Sequence, residues 1–244
     1  IVVGHQLRFN PYIARMKEII ESGVLGRIYY LSIAQYVSNW NDLDRPWSWS
    51  YDVETYGGRR LALGVHSVDL ARFLLSDEAT SVSCVLDPVH RFRTPGGSLA
   101  KETFASDFMS AQLTFPGSTV NLETSASART YEIFDIIVRG EDGELSFDLK
   151  NKLLKLDIGK DPIALLPEAD EQYNSLKGPS IFWDSFTYYA SKIVDTLENG
   201  QTTLANASTF NDAVENMKVL DACLKSNKEG TRELFTAWTD NTSY

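Results

Sequence analysis

Apolar and polar residues recur along the chain with two periods, one typical of helices and one typical of strands. The chain opens with the β-branched run Ile1-Val2-Val3, which is typical of a buried strand. Asn10-Pro11 then offers an N-cap and a first helical residue, and Gly23 offers a left-handed stop. These signals predict a strand over 1–9, a helix over 10–23 and a second strand over 27–34.

The middle of the chain follows a period of two. Met109 to Phe115 alternate apolar and polar residues, Pro116-Gly117 makes a turn, and the alternation resumes in the next strand. Asp142-Gly143 separates two further alternating runs, as in a β-hairpin. Strands in turn-linked pairs with helices at both ends predict an α+β fold with a largely antiparallel open sheet and helices packed on one face.

Two amphipathic helices are predicted near the end of the chain. Their expected buried faces are Phe182, Phe186, Tyr189, Ile193 and Leu197 in the first, and Phe210, Val214, Met217, Leu220 and Leu224 in the second. With helices on one side, the other face of the sheet is either polar or covered by a partner. We therefore expect a homodimer or homotetramer that assembles through this sheet face.

The overall charge narrows the possible partners. The 244 residues carry a formal net charge of −10, which argues against binding to nucleic acid or to an anionic membrane surface. No apolar run is long enough to cross a bilayer, and no basic-then-apolar leader is present. Two distant cysteines and three scattered histidines show neither a disulfide framework nor metal-ligand spacing. These features predict a cytoplasmic protein with no metal site.

The opening strand bears on domain organisation. A buried strand normally has neighbours on both sides, because its amides and carbonyls need partners. We therefore expect residues 1–9 to be the last strand of a missing dinucleotide-binding domain and residues 10–244 to form the substrate-binding and oligomerisation domain. The alternative is an edge strand of a self-contained domain.

Three segments, in order, resemble the glucose–fructose oxidoreductase/inositol dehydrogenase (Gfo/Idh/MocA) family. The first is Arg8-Phe9-Asn10-Pro11 with its following helix, similar to the crossover into that family's second domain. The second is Gly57-Gly58 followed by Gly64-Val65-His66-Ser67-Val68-Asp69, similar to a glycine-rich turn and a helix with a catalytic histidine. The third is the closing pair of helices. Together they span nearly the whole chain.

The resemblance implies a parent oxidoreductase that uses NAD or NADP and acts on a sugar, polyol or related hydroxy compound. It also implies a Rossmann domain, absent from this chain, that holds the cofactor and supplies a Glu-Lys-Pro lysine. The sequence contains neither that motif nor a GxGxxG fingerprint, so no residue here is assigned to cofactor binding. We expect the 244 residues alone to bind no dinucleotide and to be inactive.

His66 is the candidate catalytic residue. Alcohol oxidation needs a group that takes the hydroxyl proton, and the reverse reaction needs one that returns it. Imidazole suits both directions because it titrates near neutral pH. The alternative is a histidine that is merely packed. Asp69, one helical turn later, is assigned either to orienting the imidazole and substrate or to a salt bridge with Arg72.

One departure from the family pattern makes enzymatic activity uncertain. Active members usually carry an aspartate four residues before the histidine, whereas this chain has Ala62, with Arg59 and Arg60 where small residues are usual. The alternative function is therefore a non-catalytic relative that senses a ligand. A purely structural oligomerisation domain is a third possibility.

The remaining substrate-binding candidates lie in an aromatic loop and at the start of the chain. Trp40 and Trp47 offer flat apolar faces to a sugar ring, and Asp44 and Arg45 can hydrogen-bond its hydroxyls. The alternative is that the aromatic residues only pin the loop to the domain. Arg8 is assigned either to the substrate or to a structural contact between domains.

Overall fold

The computed structural model describes residues 2–55, 57–58, 60–129, 132–159, 162–165 and 180–235, the side chains of residues 60 and 61 excepted. Four α-helices occur in this part of the chain: α1 (Pro11–Glu21), α2 (Val65–Leu75), α3 (Ile181–Glu198) and α4 (Phe210–Glu229). Short 3-10 turns span Gln6–Phe9, Trp49–Tyr51 and Pro95–Gly97, and a π-helical turn spans Arg60–Gly64.

Nine strands form the main sheet, in the order β10-β9-β8-β7-β1-β6-β5-β2-β11. Their bounds are β1 (Ile28–Tyr36), β2 (Ser81–Asp87), β5 (Phe108–Phe115), β6 (Ser118–Ser125), β7 (Ile133–Gly140), β8 (Glu144–Asp148), β9 (Leu153–Asp157), β10 (Ile163–Leu165) and β11 (Glu233–Leu234). A separate hairpin pairs β3 (Phe92–Arg93) with β4 (Lys101–Glu102).

The sheet is mixed, which corrects the expected fold class. Strand β1 runs parallel to β6, with Leu31 opposite Val120 and Gln35 opposite Thr124, and antiparallel to β7 on its other side. A parallel pair needs a long crossover connection, and here the connection from β1 to β6 includes α2. Alternation along a strand reports which face is buried but not which strand lies beside it, so the pattern alone did not reveal this pairing.

The start of the chain also differs from expectation. Ile1 lies outside the described residues, Val3 makes a single antiparallel bridge to Ser208, and Gln6–Phe9 form a 3-10 turn. The strand predicted over 1–9 is therefore wrong for residues 2–9. Val2 is exposed, so the β-branched run does not mark a buried strand. The domain boundary drawn at residue 9 stays a prediction.

The core lies between one face of the sheet and the helices α1, α2 and α4. Strand residues at alternate positions, such as Leu31 and Ile33 of β1, are fully buried against helical residues such as Met16 and Leu70. The opposite face is half-buried or exposed, with mostly polar residues such as Ser32, Tyr36 and Glu123 along its centre. The fold therefore leaves one polar sheet face without cover from the described helices.

The buried faces of α3 and α4 are not the predicted ones. In α3 the buried residues are Ile181, Ser185 and Tyr189; of the predicted face only Tyr189 is among them, and Phe186 and Leu197 are exposed. In α4 the buried residues are Asn216, Val219, Leu220, Cys223 and Ser226, and of the predicted face only Leu220 is among them. Each inward face contains a polar residue with partners elsewhere in the chain, namely Ser185, which accepts from Asn10, and Asn216. Hydrophobic periodicity cannot detect such residues.

None of the helices in the described ranges combines the length and the apolar character that a bilayer crossing requires. Both cysteines are buried.

Candidate functional site

Glycines shape the approach to His66. At Gly57 an added Cβ would lie 2.5 Å from the carbonyl oxygen of Asp52, and Gly58 has a φ of +107°, so larger residues would strain this turn. At Gly64, where the π-helical turn meets α2, an added Cβ would lie 2.9 Å from Cε of Met109. This tight packing against β5 fixes the start of α2 and therefore the position of His66.

His66 lies between two aromatic rings. The ring of His5 is 5.5 Å away and that of Phe182 is 5.2 Å away, both measured between centroids. The side chain is half-buried, and its Nδ1 is sealed from solvent without a hydrogen-bond partner among the described residues. Nε2 is not among the buried atoms that lack a partner.

Burial lowers the pKa of His66 to about 4, with a smaller effect in the same direction from His5. Burial disfavours the charged imidazolium because it removes the water that solvates it. The sequence-based expectation of titration near neutral pH is therefore corrected: the ring is neutral at pH 7. A neutral imidazole presents one donor and one acceptor nitrogen.

A cavity of about 200 Å³ lies near His66, which is not itself among the lining residues. Phe182, whose ring contacts His66, forms part of its wall, as does Leu63, one turn before His66. The other lining residues are Gln35, Val37, Asn39, Glu132, Ile133, Phe134, Leu149, Ser180 and Ile181. This space is small enough for one compact ligand or part of a larger one.

Gln35 is the site residue that sequence reasoning missed. Its side chain is only 2% exposed, it lines the cavity, and its Oε1 is buried without a partner in the described part of the chain. An unpaired buried acceptor is costly, and a ligand hydroxyl could satisfy it. The available signal was a glutamine in register with Leu31 and Ile33 on the buried side of β1. We call His5, His66, Gln35 and Phe182 the histidine site.

A buried polar network holds the rear of this site. Asn216 accepts a hydrogen bond at Oδ1 from Arg72 (2.9 Å) and donates from Nδ2 to Asp69 Oδ1 (3.0 Å). The same Nδ2 lies 3.1 Å from Nε2 of His5. Through Asn216, helix α4 is linked to α2 and to the start of the chain.

Arg8 and Asp69, both predicted to bind substrate, bind each other. Arg8 donates from Nε (2.8 Å) and from its NH2 group (2.7 Å) to the two carboxylate oxygens of Asp69, and both residues are buried. Arg72 pairs with Glu78 rather than with Asp69. This geometry corresponds to the structural alternative for Arg8. The binding role of either residue stays a prediction.

The aromatic loop, residues 39–56, is organised around Arg93. That guanidinium is buried, lies 4.1 Å from the ring centroid of Tyr51, and donates to the carbonyl oxygen of Trp40 (3.0 Å). Trp40 is 2% exposed, and Lys101 lies 3.5 Å over the ring of Trp47. We call residues 39–56 together with Arg93 the tryptophan loop.

The polar candidates of this loop also make local contacts. Asp44 accepts a hydrogen bond from Thr94, and Arg45 donates to the carbonyl oxygen of Asn39 (2.7 Å). Trp40, Asp44, Arg45 and Trp47 are absent from the wall of the cavity near His66, as is His66 itself. The structure therefore does not bring these four substrate candidates together with His66 around that cavity.

The departure from the family pattern persists in the structure. Ala62 sits half-buried in the π-helical turn, where it offers no carboxylate. Arg59 and the side chain of Arg60 lie outside the described residues. Within the described ranges, no cluster of three or more histidine, cysteine or acidic side chains is arranged to hold a metal ion.

A family model named GFO/IDH/MocA C-terminal domain matches residues 13–146, more than half of the chain. The chain belongs to the GFO/IDH/MocA family. This membership confirms the resemblance stated from the sequence and places the chain in a family of oxidoreductases.

Among its relatives is glucose-fructose oxidoreductase domain-containing protein 1 of Xenopus tropicalis, 26% identical over 94% of this chain and 62% of the frog protein. Levoglucosan dehydrogenase in complex with NADH and levoglucosan matches with a TM-score of 0.79 at 19% identity, over 95% of this chain and 65% of that one. A super-repressor mutant of Gal80p from Saccharomyces cerevisiae matches with a TM-score of 0.76 at 18% identity, over 96% and 64%. At these identities the structural matches show the fold alone.

The chain spans somewhat less than two thirds of the length of these proteins. The matched part is nevertheless the larger part of each of these proteins. We expected the chain to be only the second domain of a dehydrogenase, without its Rossmann domain, and this coverage corrects that part of the expected fold class.

Proposed function

We propose that the protein is an NAD(P)-dependent oxidoreductase that acts on a sugar, polyol or related hydroxy compound, with His66 exchanging the proton of the substrate oxygen. The observation that carries the proposal is His66 itself, half-buried and packed against Phe182. Phe182 lines a cavity together with Gln35, whose buried Oε1 has no partner among the described residues. Family membership and an NADH-bound structural neighbour support it.

The described residues fit the substrate side of this reaction. A hydroxyl group in the cavity would donate to Oε1 of Gln35, and the ring of Phe182 would cover an apolar face of the ligand. The oxygen that reacts would then face His66, where the proton leaves in oxidation or arrives in reduction. The nicotinamide, when bound, accepts or supplies the hydride.

The described residues do not fit the phosphate groups of a dinucleotide. None of the four described helices starts from a glycine-rich turn directly after a strand, the arrangement that cradles a pyrophosphate. The expectation that these 244 residues alone bind no dinucleotide is tested by titration with NADH. Unchanged nicotinamide fluorescence is expected, and saturable binding would refute it.

Turnover tests the proposed function. The full-length protein is incubated with NAD⁺ or NADP⁺ and a panel of sugars and polyols, and absorbance at 340 nm is followed. His66→Ala should lower kcat/KM by about 100-fold or more, because a positioned acid or base typically contributes that much. His90→Ala is the matched control, since the His90 ring bonds to Asn41 instead of packing against Phe182. Equal losses in both variants would overturn the role of His66.

The second candidate is a non-catalytic relative that senses a ligand. Ala62 favours it, because the carboxylate that active members usually carry is missing, and one structural neighbour is by name a repressor. In that case the protein binds a ligand from the panel without turnover, and His66→Asn leaves the affinity nearly unchanged. Turnover of any compound that depends on His66 would exclude this candidate.

The open sheet face is proposed as the surface for homo-oligomer assembly. Ser32, Tyr36 and Glu123 lie at its centre, where the described helices leave them half-buried. In a symmetric interface, Ser32→Arg would place the new arginine of one copy close to the same arginine of the second copy, and the two positive charges would repel each other. Sedimentation should then show a shift from dimer or tetramer to monomer. A wild-type protein that stays monomeric at every concentration would refute the assembly.

A further inference from the structure

The side-chain amide of Asn216 has a defined orientation. Its Oδ1 faces Arg72, a side chain that only donates, and its Nδ2 faces Asp69, a carboxylate that only accepts. Turning the amide over would set donor against donor and acceptor against acceptor. Nδ2 is therefore the group that lies 3.1 Å from Nε2 of His5.

This orientation determines which nitrogen of His5 carries the hydrogen. Because Asn216 Nδ2 donates to it, Nε2 of His5 is the acceptor, and the hydrogen of a neutral ring must be on Nδ1. Burial lowers the pKa of His5, and the opposing charge of Asp69 does not reverse the effect, so the ring is neutral at pH 7. The resulting Nδ1–H is sealed from solvent and has no acceptor among the described residues.

A second nitrogen in the same condition lies close by. Nδ1 of His66 is also sealed and without a partner in the described part of the chain, and the two rings are 5.5 Å apart at an interplanar angle of 82°. The two nitrogens make no direct hydrogen bond, and rings at this separation are close enough for one buried water to bridge them. A donor on His5 and a lone pair on His66 would satisfy both nitrogens at once.

We propose that His5 is a positioning residue for His66: its Nδ1–H donates through one buried water to Nδ1 of His66 and holds His66 as the Nε2–H tautomer. The chain of contacts runs from Arg72 through Asn216 and His5 to His66. Each member fixes the hydrogen-bonding direction of the next. Nε2 of His66 is therefore a donor in the resting protein.

This tautomer defines the ligand that the resting site binds. A donor at Nε2 matches a carbonyl oxygen, which only accepts, better than a hydroxyl that must itself donate there. Resting on the proposed function, the inference is that the ketone or aldehyde form of the substrate, to which Nε2–H returns the proton in reduction, binds more tightly than the alcohol form. Removal of the His5 donor should reduce that preference. In oxidation the ring must first change to the Nδ1–H tautomer, because only then can Nε2 accept a proton.

Nitrogen-15 NMR of the chain tests the proposal without any turnover. Long-range proton–nitrogen spectra distinguish the two neutral tautomers, and the chain has only three histidines to assign. His90 is an internal reference: Asn41 Nδ2 donates to the carbonyl of Ala128, so its Oδ1 accepts from Nε2–H of His90. The expected wild-type result is Nδ1–H for His5 and Nε2–H for His66. An averaged or Nδ1–H tautomer at His66 would overturn the proposal.

Two variants test whether His5 determines the tautomer of His66. His5→Phe keeps an aromatic ring but removes the donor, so His66 should change from one tautomer to a mixture. Asn216→Asp replaces the donor that faces His5 by an acceptor, so both histidines should invert, to Nε2–H at His5 and Nδ1–H at His66. Asn211→Asp makes the same change on an exposed side chain of α4 and should alter neither.

Circular dichroism establishes that each variant is folded, and the wild-type spectrum decides the proposal even if a variant is not. An unchanged His66 spectrum in folded His5→Phe would contradict it. A fixed Nε2–H tautomer without turnover would overturn the proposed function but not the positioning role. Turnover with a freely exchanging His66 tautomer would overturn the positioning role alone.

Discussion

The histidine site and the tryptophan loop both contain residues predicted to bind substrate, but they differ in how their polar atoms are used. In the tryptophan loop, Arg93 and Asp44 bond to groups nearby, and the indole of Trp40 is covered. Nε of Arg93 differs: it is buried without a partner among the described residues, while its guanidinium stacks on Tyr51. In the histidine site, two buried ring nitrogens and the amide oxygen of Gln35 lack partners in the described part of the chain, and Gln35 and Phe182 line a cavity.

This difference shows that aromatic composition is a weaker sign of a binding site than unmet hydrogen bonding. Trp40 lies in a small core of its own with Tyr51, Ala105 and Ala126. An aromatic residue covered in this way stabilises its loop, whereas a buried acceptor such as Oε1 of Gln35 gains a partner only when something binds. The following predictions test whether stability and ligand binding separate between the two regions.

The largest effect is expected from the polar network behind the histidine site. Asp69→Ala should lower the free energy of unfolding by about 3 kcal/mol, because it leaves the buried Arg8 with only the more distant and more exposed carboxylate of Asp212. Urea unfolding followed by circular dichroism measures this change. The control Asp87→Ala removes an exposed carboxylate and should shift stability by no more than about 0.5 kcal/mol. Equal shifts would contradict a dominant Arg8–Asp69 pair.

A comparable loss is expected in the tryptophan loop, but without an effect on the site. Trp40→Ala should cost about 3 kcal/mol of stability, since it removes a buried indole, while ligand affinity in the folded variant stays within twofold. Calorimetric unfolding and ligand titration measure the two quantities. Trp49→Ala, at a 64% exposed position, is the control for stability. A large loss of affinity in Trp40→Ala would show that the tryptophan loop contributes to ligand binding.

The pH dependence of stability should reflect His66. Its folded pKa of about 4 lies below its unfolded value of 6.5, so the unfolded chain binds the proton first as the pH falls. The contribution of His66 to the free energy of unfolding is therefore fully present above pH 6.5. It decreases between pH 6.5 and 4, by on the order of 1 kcal/mol per pH unit at most. His66→Asn should make this slope shallower in urea melts, although His5 still contributes. Identical slopes would refute the effect.

The smallest change in stability, but a clear one in binding, is expected at Gln35. Gln35→Leu removes the unpaired acceptor, so stability should stay within about 1 kcal/mol of wild type. Affinity for the tightest ligand of the polyol panel should fall about tenfold, which corresponds to the loss of one hydrogen bond. Gln112→Leu, on the open sheet face, is the control. Unchanged affinity in Gln35→Leu would remove this residue from the site.

Local signals predicted local structure well. Asn10 caps α1, with its side chain accepting from the amide of Tyr12, and Gly23 has the expected positive φ. The turn at Asp142-Gly143 joins β7 and β8 as predicted. Each of these features depends on backbone preferences of a few consecutive residues, which the sequence displays directly.

Features that join distant residues could not be predicted in the same way. His66 was placed on a helix after a glycine-rich turn, but nothing in its neighbourhood indicates a contact with His5, which is 61 positions earlier. The buried faces of α3 and α4 were mispredicted because Ser185 and Asn216 are buried for their hydrogen bonds rather than for hydrophobicity. Gln35 was missed because a sequence does not show that a buried side-chain oxygen has no hydrogen-bond partner among the described residues.

The parallel pairing of β1 with β6 has a consequence for folding kinetics. Strands β6 and β7 follow each other in the chain, yet β1 lies between them, with Leu31 opposite both Val120 and Val138. A local β6–β7 hairpin would form quickly and would occupy the position that β1 takes between the two strands. Insertion of β1, by contrast, must close a loop of about 90 residues. Refolding should therefore show a slow phase in which premature pairs reopen to admit the central strand.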